Sequence, residues 1–183
     1  EQFANHHEER EATHVRHGIY YLTYFDQADA RLRSSAQRET LAELTAEMDN
    51  FRAAWDWGIS SGEFVLVELT LRTFTMLYDT RGWYQDGIDT LDRATTTLET
   101  THGQSPLERL TQVTLGHILA TRSLLASRLG QYDQARVGLE RSLEILRPLN
   151  ELRVLVEPIY SLGEVMELTG DYARALELYS EGL

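Results

Sequence analysis

Leu162-Gly163-Glu164-Val165-Met166-Glu167-Leu168-Thr169-Gly170-Asp171-Tyr172-Ala173-Arg174-Ala175-Leu176-Glu177-Leu178-Tyr179 decides the fold. Apolar residues recur at three- and four-residue spacing on both sides of Gly170, which reads as helix, tight turn, helix. Asp171 stands where its carboxylate can cap the second of the two. The skeleton returns one period earlier as Leu129-Gly130-Gln131-Tyr132-Asp133-Gln134-Ala135, continuing to Leu139, Ser142 and Leu143. A looser third copy runs from Gly82-Trp83-Tyr84 through Gly87 to Leu91 and Ala94. Self-similarity at such a period marks a repeat array. One helix pair cannot bury its apolar face alone, so successive pairs must stack. The expected fold is all-α, a right-handed α-solenoid of about eight helices.

Gly62, Gly82, Gly103, Gly130, Asn150 and Gly170 form a comb of near-regular spacing. Gly and Asn tolerate the left-handed backbone that ends a helix, so each tooth predicts a helix C-terminus. The helices between are expected at about Glu8–Arg33, Arg38–Ile59, Glu63–Thr80, Tyr84–Thr100, Pro106–Leu129, Asp133–Leu146, Leu152–Thr169 and from Tyr172 onward. Pro106 suits a first turn, where a missing N–H costs nothing. Pro158 should kink the seventh helix or move its start to about Glu157. On the first helix Val15, Ile19, Leu22 and Phe25 form the expected apolar stripe; on the second it is Leu41, Leu44, Met48, Phe51, Trp55 and Ile59. Residues 1–61 read as an entry segment. Residues 62–183 read as repeats at roughly 63–100, 107–148 and 152–183, cut within the array. Ala135 and Ala175 predict close helix crossings, with Gly87 in the same role. Tyr172 is expected to be buried at its turn.

Hydrophobic residues make up 42% and charged residues 25%, the balance of a folded chain rather than a disordered one. The formal charge of −12 disfavours nucleic acid and anionic membrane. All 17 basic residues are Arg. A phosphate-binding loop of the Walker type needs a Lys, so this segment holds no nucleotide-hydrolysing core. Zero Cys removes disulfides, thiolate metal sites and Cys nucleophiles. His7, Glu11 and His14 could share a helix face with ligand-capable spacing, but a solvated polar face is the expected assignment. No catalytic, metal or cofactor-binding residue is assigned. Trp55, Trp57, Phe74, Tyr78, Trp83 and Tyr84 should be mostly core.

The pattern of Leu162, Gly163, Gly170, Asp171, Tyr172, Ala175 and Tyr179 resembles the tetratricopeptide repeat. The copy at Gly130 departs from it, with Arg122 and Ser123 in place of Leu-Gly. A second resemblance lies in Arg16-His17-Gly18-Ile19-Tyr20-Tyr21-Leu22, in Glu47-Met48-Asp49-Asn50-Phe51-Arg52-Ala53-Ala54-Trp55 with Trp57, and in Arg81-Gly82-Trp83 and Leu91-Asp92-Arg93-Ala94. This pattern, over residues 16–100, is similar to bacterial signal-transduction (STAND-type) ATPases of the maltose-activator and antibiotic-regulator type. The resemblance implies a cytoplasmic, non-catalytic sensor region, placed after a nucleotide-binding switch module, that binds an inducer or partner and so releases oligomerisation.

In such solenoids the first helix of each pair lines the concave surface. Register from the glycines puts Leu69, Arg72, Met76, Asp79, Ala120, Leu124, Arg128, Tyr160, Glu164 and Glu167 there. Arg72 and Arg128 could grip a carboxylate, such as a peptide C-terminus. The competing expectation is a general protein-interaction scaffold without a switching role. Chaperone-tail clamps of the repeat family use lysines, and this chain has none. Self-association through the last helix is a third possibility.

Overall fold

Helices end at Gly62, Gly82, Gly130, Asn150 and Gly170, five teeth of the comb, while those that stop at Leu32 and Ala46 end without one. The computed structural model describes residues 2–102 and 109–183, with side chains for 9–100 and 109–183. The expected turn at Gly103, the start at Pro106 and the side chain of His7 lie outside the described residues. Gly62, Gly82, Gly130 and Gly170 have φ between 68° and 87°, and Asn150 has φ 54°. These are left-handed values that cost Gly nothing and Asn little.

Nine α-helices are present among the described residues, without a strand: α1 Gln2–Leu32, α2 Gln37–Ala46, α3 Met48–Ser61, α4 Phe64–Arg81, α5 Tyr84–His102, α6 Arg109–Arg128, α7 Tyr132–Leu146, α8 Leu152–Leu168 and α9 Tyr172–Glu181. A short 3-10 turn, Arg147–Leu149, follows α7. The chain divides into two compact units, residues 1–77 and 78–183, with the division inside α4.

In the first unit α1 packs against α2 and α3. Its core is aromatic. Phe25 stacks on Phe51 at 4.0 Å between centroids, and Trp55 stacks on Phe74 at 5.3 Å. All four rings are fully buried. Rings of this size dominate the energetics of so small a core. The expected stripe from Leu41 to Ile59 is buried throughout. It is carried by two helices, however, because the chain breaks at Glu47, whose φ and ψ are −101° and 10°. On α1 the buried face differs from the expected one. Leu22, Phe25, Ala28 and Leu32 are buried, while Val15 and Ile19 are 37% and 42% exposed. Gly18 sets that face, because its missing side chain leaves room for the Trp57 indole. Val15 and Ile19 lie about 60–100° around the helix from Gly18.

In the second unit each helix from α5 to α9 packs on the next, and α6 also contacts α8. Ala135 and Ala175 are buried at the crossings, as expected, and a Cβ at Gly87 would lie 2.6 Å from Leu125 Cδ1. Gly163 lies beneath the Tyr179 ring, with Cδ1 only 2.8 Å from where a Cβ would be. The copy at Gly130 solves the same packing problem in reverse. Ser123 occupies the equivalent place on α6, fully buried with its hydroxyl donating to Leu119 O at 2.8 Å. The small residue is now Gly138 on α7, where a Cβ would collide with the Ser123 hydroxyl.

One expectation is corrected here, and one of two alternatives is settled. Tyr172 is 70% exposed, not buried. It sits roughly 60–120° around α9 from Ala175 and Leu178, which hold the buried face. Pro158 lies inside α8, which begins at Leu152 as expected and not at the alternative start near Glu157. Proline has no N–H, so the carbonyl of Val154, four residues earlier, loses its helical donor. His117 Nε2 on α6 donates to that carbonyl at 3.1 Å.

Candidate functional site

The residues assigned to the first-helix surface fall in both units. In the first, Leu69 and Arg72 on α4 are exposed and Met76 is half-buried. Among the described residues Arg72 has no carboxylate partner. In the second, Leu124, Asp79 and Glu164 are half-buried, and Arg128, Tyr160 and Glu167 are exposed. Ala120 is only 3% exposed, so it adds packing rather than surface.

Arg128 is already engaged. Its guanidinium meets Asp79 and Glu164, each at 3.3 Å, and so ties α4, α6 and α8 together within the second unit. A carboxylate ligand there would have to displace two resident ones. Glu167 accepts from the Tyr179 hydroxyl at 3.1 Å. Burial, then that hydrogen bond, pushes the Tyr179 phenol above its ordinary range. Tyr160 stacks on Tyr179 with centroids 5.7 Å apart and keeps 38% of its surface exposed. The accessible face of the second unit is therefore built from Leu124, Tyr160 and carboxylates.

The Glu47–Asn50 phrase has a structural use. Asn50 Nδ2 donates to Glu47 Oε2 at 2.7 Å, and Asn50 Oδ1 lies 3.3 Å from His17 Nε2. Tyr21, whose ring is 4.7 Å from that of His17, is hydrogen-bonded to Glu47; burial first and that bond second raise its pKa. These polar groups fasten α3 to α1 beside the break at Glu47. Sequence reading marked the phrase without foreseeing the network, because the partners lie far apart in the chain.

Two surface grooves were also not foreseen. One, of about 500 Å³, lies between α5 and α7 over α6 and includes Thr95, Val137 and Gly138. The other, of about 560 Å³, lies between α7 and α9 over α8 and includes Leu143, Leu162 and Met166. Counted from the preceding glycine turns, they occupy equivalent positions.

Among the described residues no group of three His, Asp or Glu side chains could hold a metal, and no helix is long and apolar enough to cross a membrane. In comparisons with known proteins the chain matches no family model, no curated protein and no solved structure.

Proposed function

We propose that this chain is a non-catalytic recognition module. It is an α-solenoid of helix pairs that binds a protein, peptide or small inducer on the surface lined by the first helix of each pair. The observation that carries this reading is the serial packing of α5 to α9, with α6 reaching α8, around left-handed glycine turns. In helical-repeat arrays such stacking leaves one helix of each pair to line a continuous recognition surface. Leu124 and the Tyr160 ring on that surface are the side chains best suited to an apolar contact. The sequence resemblance refines the role to a sensor whose occupancy controls a nucleotide-dependent switch of the STAND type.

A thermal-shift screen of the chain, followed by calorimetry on each hit, tests the recognition role. Ligand at about 100 times its dissociation constant raises stability by about 2.7 kcal/mol. Tyr160→Ala and Leu124→Ala should weaken a true ligand at least several-fold. Hits whose affinity ignores both substitutions overturn the assigned surface. The switch is tested on the gene: a phosphate-binding loop and winged helix encoded upstream support it, and their absence favours a plain scaffold.

A further inference from the structure

Beyond that surface, we infer that the two grooves between successive second helices form a docking track for an extended polypeptide segment carrying Arg or Lys side chains. The chemistry of the grooves leads there. Every guanidinium in them is engaged: Arg122 with Asp92, Arg141 with Glu99, Arg136 with Glu140, Arg147 with Glu181, and Arg174 with Glu177. Among the described residues, the charged groups left without an ion-pair partner on the groove walls are exposed carboxylates: Asp133 in the first groove, and Glu144 and Asp171 in the second, where Asp171 accepts only the backbone N–H of Arg174. The unanswered charge is thus negative in both, on a chain whose formal charge is −12.

A second observation points the same way. Thr95 is 9% exposed, and among the described residues its buried hydroxyl has no hydrogen-bond partner. An unmet buried hydroxyl is costly and rare, and Thr95 lines the first groove. Apolar surface lies beside these groups from Val137, 57% exposed, in the first groove, while the buried Leu119 forms the floor there and the buried Leu162 and Met166 form the floor of the second. A long basic side chain offers the matching combination, an apolar stem and a cationic head. Recurrence of the groove at the repeat period favours a polymer over a single small molecule. The acidic field disfavours nucleic acid as that polymer.

The test is fluorescence anisotropy on the whole chain at physiological salt. The probe is a fluorescein-labelled peptide of alternating Leu and Arg, with a Leu/Glu peptide as its counterpart. The Arg probe should bind and the Glu probe should not. Asp133→Asn with Glu144→Gln should weaken the Arg probe roughly tenfold more than Glu39→Gln with Asp56→Asn, which removes the same charge from exposed sites on α2 and α3. Thr95→Val should weaken it several-fold. Failure of the Arg probe to bind, or equal losses from both acid pairs, overturns the inference, the latter because only the general field would be at work. Losses confined to Tyr160→Ala and Leu124→Ala would also overturn it, while leaving the first-helix reading intact.

Discussion

At the residue scale the fold turns on where a side chain is missing. Gly163 and Gly138 do one job on opposite sides of a helix crossing, and each has a bulky or polar neighbour at contact distance. Gly138→Ala should destabilise by about 1–3 kcal/mol through overpacking against Ser123, offset by about 1 kcal/mol of helix propensity. Adding Ser123→Gly should recover part of the loss, as read by urea unfolding. The glycine comb was legible in the sequence because left-handed backbone restricts residue choice so strongly. The Gly138–Ser123 exchange was not, since a small residue in mid-helix is ambiguous until its neighbour is known. Tyr172 was misread because the motif gives its position but not which arc of α9 is covered. A residue-scale pH effect comes from Arg31 and Glu43, paired at 2.8 Å. The hydrogen bond from Arg31, with its charge, outweighs desolvation and holds the Glu43 carboxyl below its ordinary value. The lowered pKa makes this a stabilisation present above the ordinary value of about 4.3 and lost as pH falls through the folded one. Carboxyl titration by NMR should put the Glu43 midpoint below the ordinary glutamate value, and Arg31→Ala should abolish the difference.

At the scale of the element, α8 is the instructive case. Its helix runs through Pro158 because α6 supplies the donor that proline lacks. His117→Ala should cost about 1–3 kcal/mol by orphaning the Val154 carbonyl. In a Pro158→Ala background a backbone N–H is restored, so the same substitution should cost well under half as much. A double-mutant cycle by denaturant unfolding measures that coupling, and additive effects would refute the account. Sequence reading placed the helix but expected the proline to distort or shorten it. The remedy sits on another helix and is invisible to any local pattern. The break at Glu47 escaped notice for a related reason. The apolar spacing continues unbroken through it, and the polar ties to His17 and Tyr21 are tertiary.

At the scale of the molecule, helical content and the core stripe from Leu41 to Ile59 were legible, whereas the surfaces were not. Arg128, expected to be available for a ligand, is spent on Asp79 and Glu164. Ion pairs of this kind also bridge the second helices. Glu99 on α5 meets Arg141 on α7, and Arg147, just after α7, meets Glu181 on α9 at 3.0 Å. Such exposed pairs contribute about 0.2–1 kcal/mol each. Arg147→Glu should therefore lower the melting temperature by a few degrees at low salt, and Glu181→Arg in the same chain should restore it. Added salt should shrink both effects.

Counted from their glycine turns, the two bridges use the same positions with opposite signs, which gives the run of helices from α5 to α9 a direction of assembly. A tandem duplication of α6 and α7 would bring the first copy's Arg147 against the second copy's Arg141, cation against cation. Growth by one hairpin carries an electrostatic fault unless one of those arginines changes sign, so the order of units is written into their seams as well as their cores.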